Sequence, residues 1–102
     1  MKTLLSDEVG DRTDGSCYRD KVDTTYFNLI NLFGLPTFGK GDKVLSEWVL
    51  ENDDGEVATI YDYKSSVNDP SFVTDWHLGG NDSSYEFIQK IKEKLDTASR
   101  IC

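Results

Sequence analysis

The hydrophobic positions change their period along the chain, and each change marks an element. Between Asp23 and Phe33 the apolar residues Phe27, Ile30 and Phe33, with Tyr26 and Leu29 beside them, recur at three- and four-residue spacing and predict one stripe on an α-helix. Asp23 or Thr24 can cap its start, and Gly34 followed by Pro36 stops it. A strand is expected from about Val44 to Glu51, then a hairpin turn at Asn52-Asp53-Asp54-Gly55, because Asp-Gly accommodates positive φ. Glu56 to Tyr63, rich in β-branched and aromatic residues, predicts a second strand. Lys64 to Ser71 reads as a loop, Phe72 to Leu78 as a third strand, and Gly79-Gly80-Asn81-Asp82 as the break that ends it. Ser83 with Glu86 forms a capping box for a helix running to about Ala98. Residues 1–22 show neither period and read as an irregular or partly ordered arm ahead of a single domain at 23–102.

The order helix, three strands, helix predicts an α+β fold of two layers, in which a three-stranded antiparallel sheet is flanked by an N-terminal and a C-terminal helix. Period-two alternation puts Ser46, Trp48, Leu50, Ala58, Ile60, Trp76 and Leu78 on one sheet face. Phe27, Ile30, Phe33, Phe87, Ile88, Ile91 and Leu95 on the helices are expected to cover that face. The opposite face then carries Glu47, Val49, Thr59, Tyr61, Tyr63, Asp75 and His77, with no helix left to bury it.

Charge changes this picture more than any motif does. Of 102 residues, 19 are Asp or Glu and 11 are Lys or Arg, a formal net charge of -8. Ten of the acidic side chains lie between Glu47 and Glu86 against the single cation Lys64, whereas Lys90, Lys92, Lys94 and Arg100 gather near the C-terminal end. An acidic surface repels phosphate and attracts basic grooves, so a macromolecular partner is expected to be a cationic protein, not DNA or RNA. Apolar runs of two or three residues cannot span a bilayer, and Met1-Lys2-Thr3-Leu4-Leu5 leads straight into Ser6-Asp7-Glu8, too short for a secretory segment. A cytoplasmic setting follows, in which Cys17 and Cys102 are expected as free thiols; with His77 as the single histidine they do not form a zinc set. No cofactor and no metal site is expected.

Three candidate sites follow. The outer sheet face offers Tyr61 and Tyr63, rigid side chains with polar tips, beside the charges of Glu47 and Asp75, and Glu51, Asp53, Asp54, Glu56 and Asp62 add acidic attraction for a partner. An ordinary solvated face would use the same residue types, tyrosine being a good strand former. Asp75 and His77, two apart on a strand, share a face; with no nucleophile or second acid/base group beside them they read as polar strand residues, not as catalysts. The junction of Gly79, Gly80, Asn81 and Ser83 has the ingredients of an anion site at a helix N-terminus, to which Lys40 or Lys43 could add a cation. Asp82 opposes phosphate there, and no Walker spacing or dinucleotide fingerprint is present. Asp53-Asp54-Gly55-Glu56 lacks the alternating ligands of a calcium loop, and a hairpin turn explains it.

The segments Ser46-Glu47-Trp48-Val49-Leu50, Asp53 to Lys64 and Trp76-His77-Leu78-Gly79-Gly80 together resemble small proteins encoded by bacteriophages and large DNA viruses, over about half the chain. What the resemblance implies is a viral accessory protein acting in the cytoplasm of the infected host cell, a class that includes inhibitors of host immunity such as anti-CRISPR proteins. The expectation is a non-catalytic binder that occludes a basic surface on a host defence protein through Glu47, Glu51, Asp53, Asp54, Glu56, Tyr61, Asp62, Tyr63, Asp75 and His77. The alternative is a module that sequesters a nucleotide immune signal through Lys40, Lys43, Gly79, Gly80, Asn81 and Ser83. Self-association into a homo-oligomer is compatible with both.

Overall fold

The computed structural model describes residues 1–13, 15–39, 46–62 and 73–101. In chain order its elements are β1 (Lys2–Thr3), α1 (Ser6–Val9), β2 (Cys17–Asp23), α2 (Tyr26–Phe33), β3 (Glu47–Glu51), β4 (Val57–Tyr61), β5 (Asp75–Gly80), a 3-10 turn at Asp82–Ser84 and α3 (Tyr85–Ile101). The fold is α+β, but the sheet has five antiparallel strands, not three, in the order β1-β3-β4-β5-β2. Both additional strands come from the segment expected to be an arm. Their invisibility to periodicity has a physical cause. β1 is two residues long, and in β2 only Val22 is buried, while the register shifts between Tyr18 and Asp20 and so interrupts the alternation at Arg19.

The β3–β4 hairpin sits at the centre and forms as its turn chemistry dictates. Gly55 takes φ +81, and the Asn52 carboxamide oxygen accepts the N–H groups of Asp54 at 3.0 Å and Glu56 at 2.9 Å. Because β1 and β2 lie on opposite edges, the chain between them must cross a face of the sheet. It crosses the outer one, carrying Leu4 and α1.

The inner face is the one period-two alternation predicts. Ser46, Trp48, Leu50, Ala58, Ile60, Trp76 and Leu78 are all buried there, under Leu29 and Phe33 of α2 and Phe87, Ile88, Ile91 and Leu95 of α3. Trp48 and Trp76 meet edge to face at 5.5 Å, and Tyr26 lies 5.8 and 6.4 Å from them. The Trp48 indole N–H donates to the Gly34 carbonyl at 3.0 Å, satisfying an acceptor at the end of α2. Phe27 corrects the expected stripe, being 65% exposed. The helix begins at Tyr26, capped by the Thr25 hydroxyl, which accepts from the Asn28 N–H. Its inward stripe is therefore Tyr26, Leu29, Ile30 and Phe33, and Phe27 lies about 100° further round.

Two further boundaries move. β5 continues through Gly79 and Gly80 where the sequence suggests a break, and the cap at the approach to α3 is Asn81, not Ser83 with Glu86. The Asn81 side-chain oxygen accepts from the Ser83 N–H, the Ser83 hydroxyl and the Ser84 hydroxyl.

Candidate functional site

Strand alternation sends every second residue away from the helices, and register then sets them in rows across the outer face. One row runs Glu51 and Val57. The next runs Val49, Thr59, Gly79 and Tyr18, followed by Glu47, Tyr61, His77 and Lys21, and last by Asp75 opposite Asp23. With two residues between successive rows, the outermost rows stand roughly 20 Å apart.

The crossing segment covers one end of this face, contrary to the expectation that nothing would. Leu4, Val9, Val49 and Val57 form a second apolar cluster, each at most 5% exposed. Leu4 is fastened through the Thr37 hydroxyl, which donates to the Leu4 carbonyl at 2.8 Å and accepts the Val49 N–H at 2.9 Å. Arg12, beyond α1, pairs with Glu51. A cleft of about 460 Å³ remains there among Arg12, Glu51, Asp54, Gly55, Glu56, Val57, Asn81 and Ser83.

At the other end Tyr18, Lys21, Asp23 and Asp75 are exposed, and Glu47, Tyr61 and His77 are partly buried. His77 is flanked edge-on by Tyr18 at 5.1 Å and by Tyr61 at 5.4 Å, and Tyr18 is 52% exposed. Gly79 makes this packing feasible: a Cβ there would stand 2.6 Å from Thr59 Oγ1 and 3.3 Å from the Tyr61 ring. Glu47 is half-buried, held also by a two-way backbone bridge to Phe38, and desolvation pushes its carboxyl above the ordinary glutamate value. Asp23 and Asp75 are exposed. Between described residues, ion pairs join Lys2 to Glu8, Arg12 to Glu51 and Lys92 to Asp20, and none engages Asp23 or Asp75. Asp20, on the helix side of β2, is held below its ordinary pKa by the hydrogen bond from Lys92, at 2.8 Å, and by the Lys21 N–H; Asp20 in turn holds Lys92 above its ordinary value.

The structure divides the residues expected to bind a protein. Glu51, Asp53, Asp54 and Glu56 lie at the hairpin end, whereas Glu47, Tyr61, Asp75 and His77 lie at the open end. Asp62 belongs to neither surface: it is 1% exposed and its carboxylate accepts the Ser46 N–H at 3.0 Å. Tyr63 lies outside the described residues. Tyr18, Lys21 and Asp23 join the open end unforeseen, because only pairing with β5 reveals them.

The residues expected to bind a ligand are not brought together as a loop. Gly79 and Gly80 are buried strand residues with neighbours on both edges, pairing with Thr59 and Ala58 on one side and Tyr18 and Cys17 on the other. A Cβ on Gly80 would stand 2.9 Å from Ile88 Cδ1. Asn81 and Ser83 hydrogen-bond to each other, and Lys40 and Lys43 lie outside the described residues. Cys17 is a free, exposed thiol; Cys102 is outside the described residues.

Among the described residues no group of three His, Cys, Asp or Glu side chains is placed to hold a metal ion, and no helix is long and apolar enough to cross a membrane. Comparison with known proteins finds no matching family model, no matching curated protein and no matching solved structure.

Proposed function

We propose that this chain is a non-catalytic, stoichiometric binding protein that docks on the basic surface of a host defence protein and occludes it, as the viral resemblance suggests. One observation carries the reading: the net charge of -8 is displayed by carboxylates, Asp23, Asp53, Asp54 and Asp75 among them, that stay exposed and outside the ion pairs joining described residues. Such charges attract a cationic surface over a Debye length and orient the encounter, whereas burial of aromatic rings governs how long the complex lasts. The nucleotide-sequestering alternative loses its structural support, because Gly79 and Gly80 are enclosed in the sheet and Asn81 already accepts the turn's donors.

The test is kinetic. Against a purified defence effector with a basic channel, D53N/D54N/E56Q or D23N/D75N should slow association and flatten its salt dependence, since each removes long-range attraction. Association rates unchanged in both variants reject the reading. A nucleotide thermal-shift panel serves as the counter-test, because a ligand that binds only the folded state raises its apparent stability.

A further inference from the structure

We infer that, of the two acidic ends, the open end of the outer sheet face is the one that docks, and that its occupant is an arginine side chain on the cationic partner. The inference rests on the binding reading above and names its surface and chemistry.

Three placements support it. Asp23 and Asp75 stand directly opposite each other at the β2–β5 margin, an arrangement that sets side chains about 5 Å apart and is unfavourable for two like charges. Neither joins the ion pairs between described residues. The adjoining row presents Tyr61 beside His77, and the row beyond it presents Tyr18, half-exposed and edge-on to the same His77 ring. A guanidinium matches both halves: its planar fork donates to two carboxylates at once, and its face stacks on aromatic rings. An ammonium offers neither the plane nor the fork.

The hairpin end is chemically different. Its Glu51 is already neutralised by Arg12, its apolar residues lie under the crossing segment, and among the described residues no aromatic ring lines its cleft. Lys21, exposed beside His77 on the open face, is the resident cation an arriving one must face, so it opposes binding.

The experiment titrates the whole chain with hexa-arginine and, separately, with hexa-lysine, read by amide and aromatic chemical shifts and by calorimetry. Hexa-arginine should bind more tightly and move resonances of Tyr18, Asp23, Tyr61, Asp75 and His77. D23N/D75N should weaken it about tenfold, the order expected for two accessible charge pairs, whereas D53N/D54N, which removes the same formal charge, should change it less than about twofold. K21S should tighten it. Thermal unfolding of each variant verifies the fold, and D23N/D75N should be no less stable than the parent because it removes a repulsion. Equal binding of the two peptides, or a larger loss from D53N/D54N, overturns the inference while leaving an acidic binder in place. Absence of binding by either peptide overturns both readings together.

Discussion

Substituting Gly79 by alanine tests whether the outer face is built as the structure places it. The backbone there is extended, so alanine meets no φ penalty and would gain about 0.4–1 kcal/mol from a less flexible unfolded chain. Against that, its Cβ would lie 2.6 Å from Thr59 Oγ1, 3.3 Å from Tyr61 Cε1 and 3.4 Å from the Cys17 carbonyl oxygen. Thr59 cannot yield cheaply, because it is 5% exposed and branched at Cβ. Overpacking of this kind costs about 1–3 kcal/mol. The net is a loss of about 1–2 kcal/mol, or about 5–10 °C in Tm for a domain of this size. A double-mutant cycle isolates the cause. In a Thr59→Ala background the first contact is gone, so the same glycine substitution should cost less than half as much, with chemical denaturation and calorimetry as the readout. Equal losses in the two backgrounds would refute the packing of Tyr61 and Thr59 over Gly79, and with it the geometry of the open face.

Other outcomes follow from the same structure. Leu4→Ala should cost about 2–4 kcal/mol by urea denaturation, because Leu4 is 1% exposed in the cluster with Val9, Val49 and Val57, and a change under 0.5 kcal/mol would remove the crossing segment from the fold. Phe27→Ser should alter stability by less than about 0.5 kcal/mol, whereas Phe33→Ala should cost about 3 kcal/mol or more. For Glu47 the folded-state pKa is raised by desolvation, so its contribution is fully present below the unfolded value and is lost as pH rises through the folded one. Glu47→Gln should therefore stabilise the protein near pH 7 and lose that advantage in acid, as thermal melts across pH will show. Asp20 has the opposite sign: its pKa is lowered by Lys92 and by the Lys21 N–H, so its stabilisation is present above the unfolded value and is lost as acid protonates the folded carboxyl. Asp20→Asn should shrink that acid-side loss in the same melts.

How far the sequence disclosed this molecule depends on how much of each element is buried. The core strands were legible because Trp48, Leu50, Ala58, Ile60, Trp76 and Leu78 alternate with outward residues over an apolar layer, and the Asp-Gly turn names its own φ. β2 was not, since an edge strand with only Val22 buried and a register shift at Arg19 has no period to read. Gly79 and Gly80 suggested a break for a sound local reason, yet in the fold they serve close approach by Thr59 and Tyr61 on one side and Ile88 on the other. Asp62 illustrates a different limit: charge alone placed it on the surface, whereas its hydrogen bond to the Ser46 N–H draws it inside. Four of the seven residues at the open end, Glu47, Tyr61, Asp75 and His77, could be found by alternation. Tyr18, Lys21 and Asp23 required long-range pairing that no local pattern encodes.

The edge strand β2 links stability to recognition. Its inward anchorage is slight: Val22 is its one buried residue, Arg19 donates to the Gly80 carbonyl at 2.9 Å, and Asp20 meets Lys92. On its outward side Asp23 faces Asp75, a like-charge pair that is unfavourable in the isolated domain. Replacing either aspartate by asparagine would relieve it without loss of packing, so the free domain gains stability from the change that removes attraction for a cation. A guanidinium placed between the two carboxylates turns the same repulsion into a favourable contribution, because the mutual penalty disappears at the moment both are paired. Binding should therefore protect β2 amides from hydrogen exchange more than those of the central strands, whose opening is already limited by the tryptophan core. Uniform protection across the sheet, or protection confined to the hairpin, would show that β2 is not where the cation is held.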